Sequence, residues 1–141
     1  MSHKKLTDVE KKRLRALTDT YGLEKEDFFF HRHFVIITRS GIEKIQAVSG
    51  IKVEFQEIIM ERDFVVIKAI AYHGDHNTLY DGHEPMMIQT YGEAGPENCK
   101  NTYYVMTAEK RALSRAVLKM IGLYQYGFFS EDEGVQDEKR S

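Results

Sequence analysis

The chain holds 141 residues, enough for one hydrophobic core and hardly two, so a multidomain enzyme is excluded. An apolar share of 42% and a charged share of 30%, with 2 Pro and 10 Gly, exclude wholesale disorder and collagen-like structure, and no apolar run approaches the ~20 residues that cross a bilayer. The net charge of −2 is a cancellation: residues 1–20 carry +3, residues 21–130 carry −2 and residues 131–141 carry −3, with a local +4 over residues 100–119. Met-Ser-His-Lys-Lys at the start leads into no signal-peptide core, which predicts a protein that stays inside the cell. The lone Cys99 can form neither an intrachain disulfide nor a Cys-based zinc site, and this fits a reducing compartment.

Along the chain, Thr7-Asp8-Val9-Glu10 is a capping box, and Val9, Leu14, Leu17 and Tyr21 form a helical apolar stripe that stops at Gly22. The aromatic and β-branched stretch 28–38 has the composition of a strand, which we place near 33–38 because Phe28 to Phe30 do not alternate. Ser40-Gly41-Ile42-Glu43 is a second capping box, with Ile42, Ile45 and Val48 continuing into a short helix that Gly50 ends. Lys52–Met60 and Phe64–Tyr72 flank Glu61-Arg62-Asp63 as an antiparallel hairpin. On its second strand Lys68, Ile70 and Tyr72 share one face, and Ile67, Ala69 and Ala71 share the other. A polar loop over 73–85 precedes a strand over 86–92, on which Gln89 and Tyr91 share a face, and Gly92 to Asn98 break the pattern.

The last predicted element is a helix from Thr102 to Ile121, opened by Tyr103-Tyr104 and stopped by Gly122. At 100° per residue, Arg111, Arg115 and Lys119 fall on one side while Ala112, Leu113, Ala116, Val117, Met120 and Ile121 fill the other. The predicted fold class is α+β: a curved antiparallel β-β-β sheet packed against a long C-terminal helix, with an N-terminal helix and an additional strand-helix unit. Residues 1–130 are expected to form the single domain, and 131–141 an acidic tail without regular structure, whose sharper alternative role is to compete with nucleic acid or recruit a partner.

Successive members of the basic stripe lie about 6 Å apart along the helix, a spacing that suits phosphates of one nucleic-acid strand, and the Arg fork can donate two bonds to one phosphate. The plain alternative is a solvated helix face with cations near its C-terminus, but such faces usually intersperse acids, and here Glu109 stands alone. Tyrosines add sequence-tolerant stacking surfaces, with Tyr72, Tyr91 and Tyr104 as the candidates. No Gly-x-x-x-x-Gly-Lys-Ser/Thr, Gly-x-Gly-x-x-Gly or Gly-x-Ser-x-Gly motif occurs, so nucleotide hydrolysis, dinucleotide chemistry and serine-hydrolase chemistry lack their frameworks. A metal site has positional support in His31 and His33 and in the loop cluster of His73, Asp75, His76, Asp81 and His83, although no hydrolase spacing such as His-Glu-x-x-His is present.

The stretch 103–122, YYVMTAEKRALSRAVLKMIG, resembles the long C-terminal helix of the Rad-fifty-two-like single-strand annealing superfamily, whose mark is Ala-x-x-Arg-Ala-x-x-Arg-Ala ending at Gly. Ala108, Lys110, Arg111-Ala112, Arg115-Ala116 and Gly122 fit that mark, and the β-β-β order and the segment 38–45 agree with the superfamily's core, so the resemblance covers roughly residues 30–125. It implies a β-β-β-α core that assembles into rings or filaments and pairs complementary DNA strands without ATP, cofactor or resident metal. The implied groove residues are Arg111, Arg115, Lys119 and Lys110, while Lys68, Lys52 and Arg39 are added from strand and loop position. The chain is far shorter than the eukaryotic members and lacks their partner-binding region, which favours a compact phage- or prophage-type protein. The expectation is therefore a non-enzymatic, cytoplasmic, nucleoid-associated homo-oligomer that binds single-stranded DNA, works beside a nuclease or single-strand-binding protein, and has no membrane partner. The alternatives are a metal-dependent nucleic-acid enzyme using the His/Asp loop and a small protein-interaction or assembly module.

Overall fold

Thr7 opens the first helix through a reciprocal cap, its Oγ1 accepting the Glu10 N–H at 3.1 Å while Glu10 Oε1 accepts the Thr7 N–H at 3.0 Å. The computed structural model describes residues 7–31, 34–73 and 86–133. Its elements run α1 (Asp8–Tyr21), β1 (Phe28–Phe30), β2 (Val35–Ile37), α2 (Arg39–Ser49), β3 (Lys52–Glu61), β4 (Phe64–His73), β5 (Met86–Ala94), α3 (Tyr104–Ile121) and β6 (Phe128–Ser130), with 3₁₀ turns at Lys25–Asp27, Tyr124–Tyr126 and Glu131–Glu133.

The expectation of one curved sheet against one long helix is corrected: the described residues form two separate three-stranded sheets and three helices. One sheet is the antiparallel meander β3-β4-β5; the other has the order β1-β2-β6, with β1 antiparallel and β6 parallel to β2. Two features of the sequence hid this second sheet. Its strands are three residues long, too short to display a period of two, and β2 (Val35-Ile36-Ile37) is buried at every position, as a central strand covered on both faces must be. The strand expected near 33–38 is β2, and the non-alternating Phe28–Phe30 is a further strand, paired in register with Ile37 to Val35, so the stretch 28–38 holds two strands where one was expected. β6 reaches β2 because Gly122 and Gly127, at φ of 81° and 80°, turn the chain twice after α3 through backbone conformations that a Cβ disfavours.

The second capping box is also corrected. Thr38 caps α2, its Oγ1 accepting the Gly41 N–H at 3.2 Å, so the helix begins at Arg39; Glu43 instead accepts the Arg39 Nε–H at 3.2 Å along the helix surface.

α3 packs on β4 and β5 and hardly on β3. Its Ala108, Ala112 and Ala116 are fully buried, and the contact is closest at Gly92, where an added Cβ would lie 2.0 Å from the Ala108 carbonyl oxygen. Thr90 Oγ1 donates to the Ala112 carbonyl at 2.7 Å in the same contact. α3 also packs against α2 and β6. Here Val117 and Leu118 join Ile37, Ile42 and Ile45 and the α1 residues Leu14 and Leu17 in one core, each large aliphatic side chain contributing about 1.5–3 kcal/mol of burial.

Candidate nucleic-acid interface

Strand alternation assigns the two faces of the β3-β4-β5 sheet. On β4, Val65, Ile67, Ala69 and Ala71 are buried on the α3 side, which puts Val66, Lys68, Ile70 and Tyr72 on the other side. Register carries that face across its neighbours. Lys52 stands opposite Tyr72, the exposed Glu54 opposite Ile70, Gln56 opposite Lys68, Lys68 opposite Tyr91, Ile70 opposite Gln89 and Tyr72 opposite Met87. Among the described elements α3 alone packs broadly on this sheet, and it does so from the opposite face. Among the described residues no element covers this outer face, on which Tyr91 is 48% and Met87 51% exposed, Lys68 and Tyr72 are half-buried and Ile70 is buried, and the Lys68 ammonium lies 6.0 Å from the Tyr91 ring centroid. Lys52, Lys68, Tyr72 and Tyr91, four residues singled out in the sequence, thus share one surface that no described element covers. A cation beside an aromatic ring on a sheet face is an arrangement that can hold a phosphate and stack a base.

The basic positions of α3 are not equivalent. Arg111 is only 8% exposed, and its guanidinium donates to three main-chain carbonyls, Glu93 O at 2.8 Å, Asn98 O at 2.5 Å and Asp132 O at 2.9 Å. It ties the end of β5, the following loop and the C-terminal 3₁₀ turn to the helix. Arg115 reaches the rim of the outer face, where Nη1 donates to Tyr91 O at 2.6 Å and Glu93 Oε1 at 2.9 Å. Both acceptors belong to β5, a sheet-edge strand, so the contact also covers part of that edge. Burial pushes the Glu93 carboxyl up, but the hydrogen bond and charge of Arg115 outweigh it and hold the group below the usual carboxylate range. Lys119 is exposed and Lys110 half-buried on α3. Tyr104 is half-buried against Val65, Ile67, Ala94 and Ala108, a packing position on the helix side of the sheet. Arg39 lies at the start of α2, where its N–H donates to Glu131 Oε1 at 2.6 Å.

The first acidic residues after position 130 are therefore docked: Glu131 on α2, and Asp132 on α3, where its Oδ2 accepts the Ser114 hydroxyl at 3.1 Å. Residues 134–141 lie outside the described residues, as do His33, Asp75, His76, Asp81 and His83 of the metal reading and the side chain of His73. His31 stacks on Phe34 with ring centroids 4.3 Å apart, and no cluster of three or more metal-ligating side chains occurs among the described residues. Cys99 is half-buried beside Asn101 and Thr107.

Glu54, Gln56, Met87 and Glu93 are among the members of this surface that the sequence reading missed. For the last two the signal was alternation from Met87 through Gln89 and Tyr91 to Glu93, hidden because the strand was ended at Gly92, two residues early.

The chain matches no family model, and neither a curated protein nor a solved structure matches it. No described helix is long and apolar enough to cross a membrane.

Proposed function

We propose that the outer face of β3-β4-β5 binds single-stranded DNA and that the protein anneals complementary strands without ATP. The observation that carries the reading is the convergence of Lys52, Lys68, Tyr72 and Tyr91 on one face that no described element covers, with each lysine directly opposite a tyrosine on the next strand. Ring stacking and phosphate contact fix a strand without using its Watson–Crick edges, which stay available for a complement. A face ten residues long, about 33 Å at ~3.3 Å per residue, has room for several nucleotides. The resemblance of 103–122 to the annealing superfamily supports the annealing activity but points to the helix and not to the sheet face; of its helix residues Arg115 and Lys119 remain candidates for phosphate contact, and Arg111 serves the fold. Self-assembly belongs to the proposal as well. β3 is a ten-residue edge strand with Phe55, Ile58 and Met60 exposed, a surface that association would cover.

The test is the pairing rate of two complementary labelled oligonucleotides in the absence of nucleotide and metal. The full chain is expected to accelerate pairing, and Tyr72→Ala and Tyr91→Ala are each expected to weaken single-strand binding by about 1–3 kcal/mol, or roughly 5- to 150-fold. Wild-type binding and pairing at the level of a bystander protein would overturn the proposal.

A further inference from the structure

We infer that Glu93 acts as an intramolecular stand-in for a nucleic-acid phosphate at Arg115, so that this rim ion pair sets how tightly the sheet face holds a strand. The inference rests on the sheet-face reading and adds its regulation. Glu93 lies two residues beyond Tyr91 on β5, hence on the same face, and it is the sole acidic residue of that strand. Its Oε1 accepts from Arg115 Nη1 at 2.9 Å while the same nitrogen donates to Tyr91 O at 2.6 Å. The guanidinium is thus held at the Tyr91 main chain, with a carboxylate in the place where a phosphate oxygen would sit. A carboxylate and a phosphate present similar acceptors to the Arg fork, so one can replace the other.

The pair is accessible, with side-chain exposures of 29% for Arg115 and 43% for Glu93, and an ion pair this wet holds its partners only weakly. Exchange for a phosphate is correspondingly cheap. Arg111, one helical turn earlier, makes the contrast: with its donors on three carbonyls it cannot exchange without opening the fold. Arg115 keeps Glu93 ionised, so the competition is present at neutral pH. For an annealing protein the result is a strand held less tightly than Arg115 alone would hold it.

The experiment compares the affinity of the full chain for a labelled single-stranded oligonucleotide over a salt series in wild type, Glu93→Gln, Arg115→Gln and the double variant, with melting of each. Glu93→Gln is expected to bind roughly 2- to 5-fold more tightly and to steepen the log-affinity against log-salt slope by about 0.7, the equivalent of one more phosphate contact. The gain is expected to vanish in the double variant. Glu93→Gln binding with wild-type affinity and slope overturns this inference alone, as does a gain that persists without Arg115. If the double variant does not fold, the slope of Glu93→Gln decides. Failure of the wild type itself to bind at low salt overturns the underlying sheet-face reading, and this inference with it.

Discussion

Arg111 and Arg115 stand one helical turn apart with the same side chain, and their surroundings give them different work. Arg111 satisfies carbonyls from three separate segments inside the protein, whereas Arg115 shares its Nη1 between one carbonyl and an accessible carboxylate. Arg111→Ala would leave those carbonyls without their donor. It is expected to cost about 3–5 kcal/mol in denaturant unfolding, a large share of a typical domain's stability, while Arg111→Lys, which lacks the fork, restores only part. Stability equal to wild type in Arg111→Ala would show that the three contacts carry no energy. Asp27 sets a second prediction at this scale. Burial pushes its carboxyl up, but the Lys44 ammonium at 2.7 Å, the Glu24 N–H at 2.9 Å and the Ser40 hydroxyl hold it, on balance, below its ordinary value. A carboxyl depressed in the folded state stabilises above its unfolded pKa, and that stability drains away as pH falls through the folded one. Lys44, raised by the same contact, contributes below its ordinary value near 10.5 and loses that contribution as pH rises through the raised value. Asp27→Asn is therefore expected to cost about 1–3 kcal/mol at pH 7, with the gap to wild type narrowing below about pH 4 and at strongly alkaline pH. A gap that widens in acid would contradict this account.

At the scale of elements, the best-read parts of the sequence were those long enough to show a period. The capping box at Thr7, the stop signals Gly22, Gly50 and Gly122, and the β3-β4 hairpin could all be placed because their signals are local. The β1-β2-β6 sheet could not be, since three-residue strands carry no period and the parallel β2–β6 pair joins segments some ninety residues apart. The shared face of Lys68 and Tyr72 was legible within one strand, but its extension to Lys52 and Tyr91 depends on register, which only pairing reveals. The burial of Arg111 was hidden for a similar reason, as its acceptors come from β5, the next loop and the C-terminal turn. Gly92, read as a breaker, is the strand position where α3 comes closest. Gly92→Ala would place a methyl 2.0 Å from Ala108 O and 2.5 Å from Ala112 N, both backbone atoms. The helix must lift to admit it, at about 3 kcal/mol or more, which should appear as a lower unfolding midpoint. A midpoint equal to wild type would mean that α3 does not lie this close to β5.

For the whole molecule, near-neutral charge conceals a division of labour. The acids Glu131 and Asp132 are docked on α2 and α3, Arg111 is enclosed, and the lysines of the sheet face stand with tyrosines on the side of β3-β4-β5 away from α3. The central claim is that this face, and not the α3 surface as a whole, holds the strand. The most direct measurement is the salt dependence of binding to a single-stranded oligonucleotide by wild type, Lys68→Ala and Lys110→Ala, each checked for an unchanged melting temperature. Lys68→Ala should bind more weakly with a log–log salt slope shallower by about 0.7, and Lys110→Ala should stay within about twofold of wild type with an unchanged slope. A Lys68→Ala protein with wild-type affinity and slope, beside a Lys110→Ala protein that has lost both, would contradict the claim.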